Sequence, residues 1–97
     1  MRWIVFFEDP PEMLQIRQER EALHLAYLDQ HADEIVIAGG CCKEPGGPFV
    51  GGLWVLEVSS RARALALIEA DPYVASGLRR WQLRTWGKAF AERQVVL

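Results

Sequence analysis

Cysteine and histidine are scarce in this sequence, which argues against disulfide-bonded and metal-binding classes of protein. The two cysteines, Cys41 and Cys42, are adjacent, so a bridge between them would close a strained ring, and free thiols in a reducing compartment fit better. Neither belongs to a C-x-x-C motif, although their glycine-rich surroundings leave a nucleophilic or redox role open. The two histidines, His24 and His31, are seven residues apart, too far for the i, i+4 pairing of helical zinc sites. No cofactor motif is visible, and we expect neither a metal nor a cofactor.

The chain also lacks an excess of basic charge and any long apolar run. Eleven Lys and Arg residues against thirteen Asp and Glu give a formal charge of −2, without the basic clusters that nucleic-acid binding requires. No apolar stretch approaches the roughly 18 residues of a membrane span, and no secretory signal pattern is visible. We therefore expect a cytoplasmic protein that binds neither nucleic acid nor a membrane.

Apolar residues are abundant, in contrast, and they set the size of the core. The chain has 97 residues, of which 51% are hydrophobic, and it contains four Trp and four Phe. This length predicts one domain over residues 1–97 with a thin core, and so much apolar surface favours contact with a second subunit.

The order of hydrophobic patterns predicts strand, helix, strand, strand, helix, strand. Asp9 is the predicted N-cap of the first helix, and Ser59 or Ser60 that of the second. The predicted elements are a strand over 2–7, a helix from 10 to 30, strands over 35–38 and 53–58, a helix from 60 to 70 and a strand over 81–86. A long glycine-rich segment, Gly39 to Gly52, separates the two middle strands and is typical of a binding loop.

This order indicates an α+β fold, the ferredoxin-like βαββαβ sandwich, with both helices on one face of an antiparallel sheet. The other face then needs a cover, because Ile4 and Phe6 point away from Trp3, Val5 and Phe7 in the first strand. Two such sheets facing each other would supply it. The sequence therefore predicts a homodimer of the dimeric α+β barrel type.

The best indication of function is a histidine and an aspartate. Asp71 lies in an acidic turn after the second helix, and His24 is the comparably placed partner in the first helix. A carboxylate beside an imidazole fixes the tautomer of the ring and favours its charged form, so that the pair can transfer protons near neutral pH. Both residues also have plain structural interpretations, His24 as a hydrogen-bonded helix histidine and Asp71 as a helix terminator before Pro72.

Several motifs together carry a resemblance to a known family. They are His24-x-x-Tyr27-Leu28, Ala38-Gly39, Phe49-Val50-Gly51, Asp71-Pro72-Tyr73 with Gly77, and a Trp-containing last strand. In order and spacing they resemble the YCII-related family over nearly the whole chain. The resemblance implies the dimeric α+β barrel superfamily, with an active site built around His24 and Asp71.

The resemblance also implies a range of reactions, since one branch of the family eliminates chloride from a chlorinated hydroxyquinone and distant relatives isomerise lactones or act as monooxygenases. Two positions depart from the family pattern. Gly52 stands where a serine is frequent, and Glu21 where an arginine is common, with Arg20 one residue earlier.

We predict a small-molecule enzyme of the elimination (lyase) or isomerase type, in which His24 is the general acid or base and Asp71 orients it. Arg20, Gly39, Gly51 and Tyr73 are the predicted substrate-binding residues, although Arg20 can equally pair with a surface carboxylate. The alternative is a dimeric metabolite-binding or sensory module without turnover. The sequence leaves open the substrate, and whether His24 and Asp71 meet within one chain or across the dimer.

Overall fold

The fold is a four-stranded antiparallel sheet with two helices, in a computed structural model that describes residues 1–96. In chain order the elements are β1 (Arg2–Glu8), α1 (Met13–Gln30), β2 (Ile35–Cys42), β3 (Phe49–Glu57), α2 (Arg61–Ala70), a short 3-10 turn (Val74–Ser76) and β4 (Arg80–Thr85). The strand order is β2-β3-β1-β4. The predicted α+β class and βαββαβ order are thereby confirmed. Neither helix of the described chain combines the length and the apolar character needed to cross a bilayer.

The core lies between the sheet and the helices. Alternate residues of β1, Val5 and Phe7, point into it, and Trp54 of β3 packs edge-on against Phe7 with ring centroids 4.9 Å apart. Leu67 and Ile68 of α2 close it from the other side. Each of these side chains is nearly inaccessible to solvent, as the alternation of strand residues requires for a sheet covered on this face.

The opposite face of the sheet is also apolar. Ile4 lies opposite Val55 and Phe6 opposite Leu53 in the pairing of β1 with β3, so their side chains share that face. Phe6 remains 48% exposed. The homodimer that this face suggests stays a prediction.

The prediction that residues 39–52 form a loop is wrong, because most of this segment belongs to β2 and β3. β2 continues to Cys42 and β3 begins at Phe49, which leaves residues 43–48 as the connection. Ladder hydrogen bonds use only the backbone, so consecutive glycines do not prevent pairing. Gly51 has a steric role, since a Cβ there would collide with the backbone carbonyl of Phe7 in β1.

The predicted N-cap role of Asp9 is also wrong. α1 begins at Met13, its N-cap position is Glu12, and no side chain caps it. The Asp9 carboxylate instead binds two arginines, and these ion pairs use both of its oxygens. In α2 the expectation is confirmed, since the Ser60 hydroxyl accepts a hydrogen bond from the Arg63 N–H at 3.1 Å.

Candidate active site

A cavity of about 230 Å³ opens between α1, the ends of β2 and β3, and the segment after α2. Its walls combine aromatic and apolar side chains with a few ionisable groups, the composition typical of small-molecule sites. The lining residues are Arg17, Glu21, His24, Leu25, Leu28, Ala38, Gly39, Gly40, Phe49, Trp54, Tyr73 and Arg79.

One stripe of α1 supplies most of the polar wall. Arg17, Glu21, His24 and Leu28 follow one another at steps of four, three and four residues. This spacing places them one above another on a single helix face. The helix therefore presents a guanidinium, a carboxylate and an imidazole to the same cavity.

His24 and Asp71 meet within one chain. The His24 Nδ1 lies 2.5 Å from Oδ1 of Asp71, whose side chain is fully buried. The other carboxylate oxygen accepts a hydrogen bond from the Val74 backbone N–H at 3.3 Å. An ionised carboxylate can only accept, so Nδ1 carries the proton and Nε2 of the neutral ring has the free lone pair. Nε2 has no hydrogen-bond partner in residues 1–96 and is open to the cavity.

The local sequence explains how Asp71 reaches His24. Asp71 ends α2 with an extended backbone, φ −66° and ψ 131°, as a residue before proline prefers. The chain then turns through the 3-10 segment, and the Ala75 N–H bonds the Asp71 carbonyl at 2.9 Å. Asp71 thus both terminates the helix and contacts the histidine, and its catalytic role stays a prediction.

Tyr73 covers one face of the imidazole. Its ring is stacked on His24 with a centroid distance of 3.8 Å and an interplanar angle of 12°. Burial raises the pKa of Tyr73, against the opposing influence of the Arg17 charge, so the phenol stays protonated at neutral pH. Its hydroxyl donates to the Arg17 backbone carbonyl at 3.4 Å, so Tyr73 orients the ring but is no base under these conditions.

A cluster of charges lies beside the histidine. Asp9 accepts two hydrogen bonds of 2.8 Å from Arg79 and one of 3.1 Å from Arg17. Burial by itself would raise the pKa of Asp9. The hydrogen bonds and charge of Arg79, and then those of Arg17, outweigh burial and hold that pKa below its ordinary value of 3.8.

Two of the four predicted substrate-binding residues line the cavity. Gly39 and Tyr73 line the cavity, whereas Gly51 does not and instead accepts a hydrogen bond from Arg17 through its carbonyl at 2.9 Å. Arg20 also lies outside the cavity, where it donates to the Pro72 carbonyl at 2.9 Å. The substrate-contacting role predicted for Arg20 does not fit this position.

Sequence reasoning missed the two arginines that do line the cavity. Arg17 is seven residues before His24, about two helical turns, and this spacing signals the shared face. Arg20, four residues before His24, is rotated from it by about 40° in the other direction, and its side chain donates to Pro72 outside the cavity. Arg79 gives no such signal, because it follows α2 and meets Asp9 only through the pairing of β4 with β1.

No metal or cofactor site is apparent in the described part of the chain. Within residues 1–96 no three His, Cys, Asp or Glu side chains gather as the ligands of a metal ion would. Cys41 and Cys42 are free and exposed at the end of β2.

Comparison with known proteins identifies the family of this chain. A family model described as the YCII-related domain matches residues 1–87. The chain belongs to the YCII-related family. Comparison with the curated proteins gave no match.

Among solved structures, this YCII-related protein is similar to the 5-chloro-2-hydroxyhydroquinone dehydrochlorinase of Burkholderia phenoliruptrix, solved in complex with 2,5-dihydroxybenzoquinone. The TM-score is 0.80 at 26% sequence identity, over 90% of this chain and 94% of that one. The family predicted from the motifs is thereby confirmed.

Proposed function

We propose that this protein is a small-molecule enzyme that uses His24 as a general base and acid, oriented by Asp71. The observation that carries the proposal is the state of the imidazole: its Nδ1 is held by a buried carboxylate and its Nε2 is open to the cavity. An orienting carboxylate behind a histidine favours general acid–base catalysis, because it fixes the tautomer and stabilises the imidazolium that forms.

Two reaction types suit such a group. In an elimination, Nε2 removes a proton from the substrate, the freed electron pair forms a double bond, and the leaving group departs with its bonding electrons. In an isomerisation, the same nitrogen returns the proton at another atom. The similar structure of a dehydrochlorinase favours elimination of chloride or a comparable leaving group.

Chloride release from 5-chloro-2-hydroxyhydroquinone is the first assay, with related hydroxyquinones as a panel. His24→Gln is expected to lower kcat/KM by about 10²- to 10⁴-fold, the usual contribution of general acid–base catalysis. The matched control is His31→Gln. His31 packs against Tyr27 at the end of α1 and does not line the cavity, so its loss should leave turnover unchanged.

The competing function, a metabolite-binding or sensory module, predicts a different result. Such a protein binds members of the panel without converting them, and His24→Gln then changes affinity alone. Turnover that survives His24→Gln in full would refute the catalytic role of the imidazole.

For the assembly, we infer a homodimer formed through the apolar outer face of the sheet. Phe6, which is 48% exposed, and the partly exposed Leu53 opposite it offer apolar surface that a second copy would bury, whereas Ile4 and Val55 on the same face are already buried within the chain. We also infer action in the cytoplasm, because two exposed and unpaired thiols fit a reducing compartment.

A further inference from the structure

The charges beside His24 do not balance. Arg17 and Arg79 are two positive groups, and Asp9 is the carboxylate that both of them bind. The cluster therefore keeps one positive charge in excess. All three side chains are largely shielded from water, with exposed fractions of 14%, 2% and 1% for Arg17, Arg79 and Asp9. A buried charge without a counter-charge is costly, and a bound anion would remove that cost.

Two other acidic groups near the cavity form no ion pair with these arginines in residues 1–96. Asp71 is taken by His24. Glu21 lines the cavity but is exposed, and in residues 1–96 it forms no ion pair with either arginine. The charge of Glu21 does reach the cavity, where it helps to raise the pKa of Tyr73. What the cluster lacks is a second counter-charge that is hydrogen-bonded directly to its arginines.

Arg17 is fixed in a position to use this charge. One of its terminal nitrogens donates both to Asp9 and to the Gly51 carbonyl. Its guanidinium lies over the ring of Phe49, at 4.5 Å from the centroid, and near that of Tyr73 at 5.2 Å. These contacts occupy the faces of the group. Its Nε–H is buried and has no acceptor in residues 1–96. The second terminal nitrogen, Nη1, makes no hydrogen bond in those residues and is not buried, so it is the donor that a ligand can reach.

We propose that the cavity selects anionic substrates and that Arg17 binds their negatively charged oxygen. This inference rests on the proposed function, because it names the substrate class of the same site. The ligand is a small carboxylate, enolate or phenolate whose anionic oxygen replaces the missing counter-charge at Arg17. The rest of the molecule then lies between Phe49 and the exposed nitrogen of His24, where its proton is transferred.

Benzoate and benzamide are suitable probes, since they have nearly the same shape and differ in charge. In NMR titrations of the full chain, benzoate should bind at least about tenfold more tightly than benzamide, because a charge-assisted hydrogen bond to arginine is the stronger kind. Benzoate should also shift the Arg17 Nε–H signal. Arg17→Gln should remove the preference for benzoate, whereas the matched control Arg20→Gln should keep it, since Arg20 lies outside the cavity.

Three results would overturn the inference: equal binding of the two probes, no saturable shift of the Arg17 signal with benzoate, or an Arg17→Gln variant that still prefers benzoate. Should Arg17→Gln fail to fold, Arg17→Lys keeps the charge without the planar donor edge and should reduce the preference for benzoate without abolishing it. A preference of wild-type size in Arg17→Lys would then count against the assigned contact.

His24→Gln separates this inference from the proposed function. When both hold, that variant loses turnover and keeps the preference for benzoate. Retained turnover with a retained preference contradicts only the catalytic proposal. Lost turnover together with equal probe binding in the wild type contradicts only the anion proposal.

Discussion

Replacing Asp9 by asparagine tests how the buried charge cluster contributes to stability. The change keeps the shape of the side chain. Both carboxylate oxygens of Asp9 accept hydrogen bonds from arginine, so in asparagine one acceptor would be replaced by an N–H donor that points at a guanidinium donor. It also leaves Arg17 and Arg79 buried as two like charges. Removing one partner of a buried ion pair costs about 3–5 kcal/mol, and the whole domain is stable by only about 5–15 kcal/mol.

Urea denaturation at pH 7 measures this cost as the difference in the free energy of unfolding. The matched control is Glu34→Gln, which breaks a pair with Arg63 of 2.6 Å whose side chains are 23% and 42% exposed. That variant should change stability far less, because solvent screens exposed pairs. If Asp9→Asn costs no more than Glu34→Gln, the cluster is not the low-dielectric site inferred from its burial.

The pH dependence of the same difference gives an independent check. The folded-state pKa of Asp9 is held below the ordinary value of 3.8 by its arginines, so its contribution is fully present above about that pH and is lost as the pH falls through the lower folded value. The gap between wild type and Asp9→Asn should therefore be constant from about pH 5 to 8 and close only in acid. A gap that closes near neutral pH would refute the assignment.

Three further predictions concern the sheet and the thiols. Gly51→Ala should destabilise the fold by about 1–3 kcal/mol or more, because its methyl meets the backbone of β1, whereas Gly39→Ala should be nearly neutral since nothing lies within 4 Å of that position; thermal denaturation compares them. Wild type should sediment as a dimer at micromolar concentration and Phe6→Glu as a monomer, because a charge cannot be buried in an apolar interface; a stable wild-type monomer would contradict the barrel assembly. Replacing Cys41 and Cys42 together by serine should leave folding and turnover intact, since both are exposed and free, and loss of turnover with the fold unchanged would make them catalytic candidates.

The sequence predicted the fold well because its signals are local. Alternation of Val5 and Phe7 against Ile4 and Phe6 is a property of a few consecutive residues, and the fold class follows from the order of such segments. The glycines led to the wrong prediction of a loop, because a glycine can be needed either for backbone flexibility or for the space that a Cβ would fill. Gly51 is required for space beside β1, not for the flexibility of a loop, and only the pairing of the strands reveals which applies.

The site was partly predictable for the same reason. His24 and Asp71 stand in motifs that can be read along the chain, whereas Asp9 and Arg79 are 70 residues apart and meet only when β1 and β4 pair. Arg17 was predictable only in part. Its spacing from His24 was visible in the sequence, but Arg20 fits the same helix face almost as well, and the choice depends on the position of Pro72.

The charge cluster joins the ends of β1 and β4 to α1, but it is not the arrangement that would stabilise the fold most. Apolar residues of similar volume usually stabilise a core at least as well as a buried ion pair. Stability alone therefore does not explain two arginines on one carboxylate, and a ligand that needs the spare charge does. Such a ligand should raise the thermal midpoint of the wild type by mass action. The same concentration of benzoate should raise that of Arg17→Gln less, since the charge it compensates is gone. An equal rise in both proteins would mean that the cluster serves the fold alone.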